Sequence, residues 1–394
     1  MTHGEFDDLH DELRAVARGM LGKAGAGSTV DWPQIARSGW LGLEAPTEFG
    51  GAGATFAEVA ALLEEMGRAV ACGPFSSVAV LGLGALGLIA PNLGRDRLFR
   101  EAIAGESVPI AVMSGDCRDS FAIGERCGPS PSGVIIGAAG VGVDATVAKS
   151  ARAGSAVPAF RLVAGPDALY LYGSAEFVPD APYADLMLVP ARAPDGAIVT
   201  AVVTPGAPGM EITAQPVVDT TRTLATVTAD HVAIPPESVW RFSGDPTTAL
   251  CRLHDRAALA TACDSLGLSE AMLQTTVEYV GVREQFGRPI GSFQAVKHAC
   301  ADMLVQVTVA RQLIMAAVRA QVEQRPDAST AASMAKAYTT AAAVEVAGTA
   351  MQLHGGIGYT WESGIHAYLK RATLNRSLFG TPAQHRRRIG RRYA

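Results

Sequence analysis

Two hydrophobic periods alternate along this chain, and the switches between them divide it. FDDLHDELRAVARGM (Phe6–Met20) and FAEVAALLEEMGRAV (Phe56–Val70) place apolar residues at helical spacing. The loop between them, APTEFGGAGATF, is Gly-rich and holds Thr55, a residue type suited to cap the second helix. From about Val108 to Pro236 charged residues thin out. ALYLYG, DLMLVPA, AIVTAVVTP and TLATVTADHVAIP read there as short strands bounded by turn residues. From about Ser238 the helical period returns in three long Ala-rich stretches, residues 256–286, 293–325 and 328–354, punctuated by Pro289 and Pro326. Long helices with short connections predict an antiparallel bundle. The pattern predicts an α+β multidomain chain: a helical domain over 1–110, a β-barrel or sandwich domain over 111–236, and a C-terminal four-helix bundle over 237–394.

Composition narrows the class. The 394 residues are 48% hydrophobic, enough for more than one core. The net charge of -5 gives no general reason to expect nucleic acid or an acidic membrane. Six cysteines without a CxxC spacing read as thiols of a reducing compartment. The N-terminal stretch is acidic and amphipathic, unlike a signal peptide. No apolar run reads as long enough to span a membrane; the closest, Ser77–Ala90, stops at Pro91. A soluble cytoplasmic protein is the expectation. The RRRIGRR run (Arg386–Arg392) could engage phosphates. The net acidity and the lack of interleaved aromatics favour a solvated or interface tail instead.

Two segments carry candidate chemistry. In the first, Arg283, Gln285 and Phe286 precede Gly287 where the first long helix is expected to end, and Gln294 opens the next. An Arg at such a junction can fork onto a pyrophosphate with two charge-assisted hydrogen bonds, and the glutamines add neutral donors and acceptors. In the second, Gln352 and the Gly355-Gly356 pair end another long helix. Glycine backbone N–H groups can approach a phosphate or an adenine closely. Each segment alone also reads as an ordinary helix junction or C-cap. His298 and His354 have no second ligand at metal spacing, so no metal is expected. Core packing is expected of Trp361.

Taken together, RxQFGxPI (Arg283–Ile290), FQxVKH (Phe293–His298) and QxHGGxGYT (Gln352–Thr360), in that order, resemble the C-terminal domain of the acyl-CoA dehydrogenase family. GLEAPTEFGGAG and VVDTTRTLATVTADHVAIP resemble its N-terminal loop and the end of its β domain, so the likeness covers nearly the whole chain. The resemblance implies a tetramer with FAD across a subunit interface. Arg283, Gln285, Phe286 and Gln294 match the family's pyrophosphate and adenosine contacts; Gln352, Gly355 and Gly356 match its second contact segment. It also implies α,β-dehydrogenation of an acyl-CoA. A Glu takes the α-proton, hydride passes to the flavin, donors steady the developing enolate, and electrons go to an electron-transfer flavoprotein.

The chain departs from the family at the base. Phe379, in Leu378-Phe379-Gly380-Thr381, stands where the family's Glu is expected, and no Asp or Glu follows Glu362. Some relatives carry the base on an earlier helix, in a slot that falls near Ala257. Asp255 is the nearest carboxylate, turned away by about 200° of helix. Asp255 is thus the candidate base of a self-sufficient homotetramer, or a first-turn carboxylate satisfying the helix dipole. The flavin-facing segment (Ala111–Ser120) and the strand after it (Gly133–Ala148) also lack the family pattern. The chain resembles subunits of actinobacterial steroid side-chain dehydrogenases built as α2β2 tetramers. That resemblance implies the subunit without a base, which completes the FAD site of a second family member. A flavin-free binding or scaffold protein is the reading from another class.

Overall fold

The computed structural model describes residues 3–22, 27–113 and 158–393. The segments 114–120 and 133–148, where the sequence departs from the family's β domain, lie outside them.

The N-terminal domain is helical: α1 (His3–Leu21), α2 (Trp32–Arg37), α3 (Phe56–Arg68), α4 (Leu83–Leu88) and α5 (Leu93–Ile103). Thr55 caps α3 as its position predicts. Its hydroxyl accepts from the Ala57 N–H at 3.1 Å, and Glu58 accepts in return from the Thr55 N–H at 2.8 Å. The apolar run from Ser77 folds as a π-helical turn (Ser77–Gly82) that leads directly into α4.

The strands are β1 (Pro109–Ala111), β2 (Phe160–Ala164), β3 (Leu169–Pro179), β4 (Leu186–Arg192), β5 (Ile198–Val203), β6 (Met210–Gln215), β7 (Leu224–Ile234) and β8 (Val239–Trp240). They join in one sheet in the order β6-β7-β3-β2-β4-β5-β8, with β1 parallel to β4. Strand β1 starts at Pro109, inside the stretch whose texture changes at about Val108, whereas pairing extends the sheet past 236 at the other end, where Trp240 of β8 pairs with Thr200.

The C-terminal bundle comprises α6 (Pro246–Val282), α7 (Gln294–Val322), α8 (Ala328–His354), α9 (Ile365–Ser377) and α10 (Pro382–Tyr393). Helix α6 starts well before residue 256. Asp245 caps it by accepting from the Thr248 N–H at 2.7 Å, and Pro246 occupies the first turn, where a missing N–H costs nothing. Asp255 is therefore not a first-turn carboxylate. Helix α6 ends at Val282 rather than at Gly287, and the next residues form a two-strand hairpin, β9 (Glu284–Gln285) with β10 (Arg288–Pro289). Helix α7 is long and apolar enough to span a membrane by length and composition. It instead buries Met303, Val307, Ala310, Ile314 and Ala317 in the bundle.

Helix α3 crosses α6 at two glycines. A Cβ on Gly67 would lie 1.9 Å from the Asp264 carbonyl oxygen, and one on Gly267 would lie 1.7 Å from that of Glu64. Only glycine permits this approach. Beside the crossing, the fully buried Arg371 of α9 joins all three domains. Its Nε–H donates to Thr221 Oγ1 (2.9 Å) and Asp219 Oδ2 (3.2 Å), its Nη1–H to Asp264 Oδ2 (3.0 Å), and its Nη2–H to the carbonyls of Ala71 (2.9 Å) and Thr221 (3.1 Å). Arg222 and Asn375 each donate to Asp264 at 2.6 Å. Removing one member of such a buried network leaves charges unpaired in a medium that cannot solvate them. Arg371→Met is expected to cost about 3–5 kcal/mol, read by denaturant unfolding; a loss below about 1 kcal/mol would mean the network is redundant.

Candidate cofactor grip and base positions

The structure brings both motif segments to one end of the bundle. Residues Phe286 and Gly287 form the turn of the β9–β10 hairpin, at φ 53° and 76°. Two positive φ values are what a two-residue hairpin turn of the twist-matched kind requires, and Phe286 adopts one without being glycine. Phe286 is 91% exposed, its ring edge-on to Phe293, which also has the Arg288 guanidinium 4.2 Å from its ring centroid. Helix α8 ends where Gly355 turns to φ 63°, ψ −141°. The two segments meet through Tyr279 and His354: the rings stack at 4.3 Å, and the Tyr279 hydroxyl donates to the His354 carbonyl at 3.5 Å.

Arg283, Gln285, Phe286, Gln294, Gln352, Gly355 and Gly356 are all exposed. Among the described residues the Arg283 side chain has no ion-pair partner. A Cβ added to Gly355 or Gly356 would meet nothing within 4 Å. The grip therefore faces outward, away from its own core. This set fits the adenosine and pyrophosphate half of a dinucleotide: a free guanidinium, neutral amides, an open glycine backbone and an exposed aromatic. Trp361, expected in the core, is 74% exposed, with Lys370 Nζ 5.0 Å above its ring.

The base positions lie at the far end of α6, where Asp255 is about 40 Å from Arg283 along the helix at about 1.5 Å per residue. Phe379 and Ala257 line one cavity of about 30 Å3. The one carboxylate among the described residues lining it, Asp180, accepts from Ser77 Oγ at 2.6 Å. Burial pushes the Asp180 carboxyl up, and Arg222 pulls it down. Asp255 points elsewhere. It is buried and held by both guanidinium nitrogens of Arg388, at 2.5 and 3.2 Å, while Arg388 also donates to Ser329 at 2.7 Å. Burial pushes its carboxyl up and Arg388 opposes the shift.

Sequence reading missed a histidine pair behind Phe379. His385 Nε2–H donates to the Phe379 carbonyl at 2.9 Å, and the His254 ring lies 6.1 Å from the Phe379 ring and 6.4 Å from that of His385. The interaction fixes Phe379, which sits at φ 53°. Nothing in the spacing of residues 254 and 385 signals this contact, since they lie on separate helices.

Comparison with known proteins agrees with this architecture of helices, sheet and helical bundle. Residues 9–95 match the model described as acyl-CoA dehydrogenase, N-terminal domain, and residues 252–394 the model described as acyl-CoA dehydrogenase, C-terminal domain. The acyl-CoA dehydrogenase IpdE2 of Mycolicibacterium smegmatis is 30% identical over 353 residues, 89% of this chain and 83% of that protein. The Tcur3481-Tcur3483 steroid ACAD, solved as a variant, superposes with a TM-score of 0.77 at 25% identity, covering 98% of this chain and 97% of that one. In fold alone, the ChsE4-ChsE5 complex of Mycobacterium tuberculosis matches with a TM-score of 0.78 at 24% identity, covering 100% and 98%. The chain belongs to the acyl-CoA dehydrogenase family, oxidoreductases that act on CH–CH donors.

The histidines predict an acid-sensitive core. Burial pushes His254 down to about 3, helped by neighbouring His385, Arg388 and Lys336. Burial also pushes His385 down to about 4. The unfolded chain takes up these protons near pH 6.5 and the folded chain does not. Their contribution is therefore complete above about pH 6.5 and is lost as pH falls toward 4 and then 3. Between about pH 5.5 and 4 the wild type should lose stability relative to His254→Leu by about 1.4 kcal/mol per pH unit; parallel stability curves would exclude a neutral buried His254.

Proposed function

We propose that this chain is a subunit of an FAD-dependent acyl-CoA dehydrogenase, lacks the usual base, and completes the FAD site of a second, base-bearing subunit. The observation that carries the reading is the contrast between the two ends of α6. The cavity shared by Phe379 and Ala257 is about 30 Å3, room for a water and not for an acyl group. At the other end, seven residues of the right chemistry are exposed to solvent.

When bound, FAD supplies the acceptor for hydride from the acyl chain. Arg283 would hold the pyrophosphate by a forked pair of N–H donors, with Gln285, Gln294 and Gln352 as neutral partners. The Gly355 and Gly356 backbone would lie against the adenosine end, and Phe286 would cover it and exclude water. Asp255 would act as a tie between α6 and α10 through Arg388, not as a base.

A partner surface is available beside the grip. Helix α7 exposes Leu304, Val305, Val309 and Met315, and Val277 of α6 adds to this face. A groove of about 500 Å3 runs between α6 and α7 there, lined by Val277, Leu304 and Val307. Exposed apolar area of this kind on a bundle helix is best covered by another subunit. The likeness to the Tcur3481-Tcur3483 steroid ACAD supports an unequal pair and a steroid-derived acyl-CoA. On this proposal the reaction takes place in the cytoplasm and its electrons pass to an electron-transfer flavoprotein.

Purified alone, the chain should carry little FAD; with its partner subunit, the complex should hold one FAD per two chains and turn over acyl-CoA. Arg283→Ala in the complex should weaken FAD retention by about tenfold or more. A stable yellow tetramer of this chain alone, with one FAD per chain and full turnover, would sink the proposal. Asp255→Asn in the active complex should leave turnover unchanged while lowering stability by about 2–3 kcal/mol, because the half-buried Arg388 loses its charge partner; abolished turnover in a folded complex would restore Asp255 as the base.

A further inference from the structure

A second cavity, far larger than the one at Phe379, lies on the opposite side of α6. It is a cleft of about 950 Å3 between the N-terminal domain and the beginnings of α6 and α8, the end of α7, and α10. The two cavities share no lining residue. Ala257, Ala260 and Thr261 face the small one, whereas Thr248, Cys251, Arg252 and Asp255 face the cleft. The π-turn and α4 divide in the same way: Ser77, Val80 and Leu81 face the small cavity, and Ala79, Leu83, Gly84 and Gly87 the cleft.

The cleft has an apolar wall and a basic rim. Leu41, Phe56, Val59, Leu83, Leu88 and Phe99 form the wall. Four arginines and two carboxylates among the described residues line the cleft, so its charge is positive. Both carboxylates are already taken. Glu44 accepts from both terminal nitrogens of Arg256, at 2.8 and 2.7 Å, and Asp255 is held by Arg388. Arg325 is paired outside the lining with Asp327 at 3.0 and 2.9 Å. Arg252 is left over, exposed at the mouth and without a hydrogen bond or ion pair among the described residues. Beside Gly84, the buried Arg256 Nε–H also finds no acceptor. An unsatisfied buried donor on the wall of a roomy cavity is costly unless something fills it.

We propose that this cleft is a binding site for an amphipathic monocarboxylate, its apolar body against the Phe56–Leu83–Phe99 wall and its carboxylate on Arg252. The volume lies within the range of small-molecule sites, which bury an apolar body and fix it with a few polar groups. One free guanidinium at the mouth matches one carboxylate; it does not match the several phosphate charges of a coenzyme A. Gln321 and Gln324, at the end of α7, stand at the same rim as further donors. The site contains none of the residues assigned to the FAD grip, so it stands or falls independently of the proposed oxidoreductase role.

The test uses the full chain, with its partner subunit where the two are purified together, and dodecanoate below its micellar concentration as the probe. Equilibrium dialysis should show saturable binding of one dodecanoate per chain. Dodecanol, which keeps the apolar body and lacks the charge, should bind about tenfold more weakly or worse. Two variants address the two halves of the site. Arg252→Gln should weaken dodecanoate by about tenfold while leaving dodecanol unchanged. Gly87→Phe should abolish both. Gly87 lines the cleft and an added Cβ there meets nothing within 4 Å, so the ring adds bulk at the cleft wall without a clash at its Cβ, and an unchanged melting temperature checks that the chain still folds. Non-saturable uptake, equal affinity for acid and alcohol, or dodecanoate binding that survives Gly87→Phe would overturn the proposal.

Discussion

The arrangement of the three domains depends on one buried guanidinium. Arg371 is fully enclosed, yet each of its three guanidinium nitrogens has an acceptor, drawn from the loop after α3, the segment between β6 and β7, and α6. A cation can be buried only if paired and hydrogen-bonded, so the three elements must stand at fixed positions around it. The α3–α6 crossing on Gly67 and Gly267 is compatible with that constraint because it lets the two helix backbones touch beside Asp264. The energetic return of such a network is small. Its specificity is large, because a shift of any partner strands a charge.

Held this way, α6 acts as a rod with different chemistry at its two ends. One end runs out into a strained hairpin whose side chains face solvent. The other end runs between two cavities, one nearly closed around Phe379 and one open toward Arg252. Phe379 is more than a missing carboxylate. Its carbonyl is engaged by His385 and its ring packs beside His254, so the loop is built around an aromatic residue.

Most of the helical architecture is legible along the chain because it depends on short-range periodicity. Phe56–Arg68, Gln294–Val322 and Ala328–His354 follow the apolar spacing closely, and Thr55 caps where a Thr before such a run should. The strands β3, β4, β5 and β7 are legible for the same reason. Strand β6 (MEITAQ) is not: it lies at the sheet edge and is mostly half-buried or exposed, so its side chains carry little pattern and its identity comes from pairing with β7. The early start of α6 is missed because residues 246–255 mix Pro, Thr, His and Asp, and only packing and the Asp245 cap make them helical.

The sequence by itself determined the family and the order of its domains, and it singled out the seven residues of the proposed grip, because these readings rest on local motifs whose residue types carry the chemistry. Only the tertiary structure decided what those residues face. Exposure of the grip, the stacking of Tyr279 on His354, the capture of Asp255 by Arg388 and the histidines behind Phe379 all join positions far apart in the chain. Asp255 shows why. Read alone, it is a carboxylate beside a slot that wants one. In the fold, two residues of helix turn it to the opposite face of α6, where an arginine from the last helix holds it.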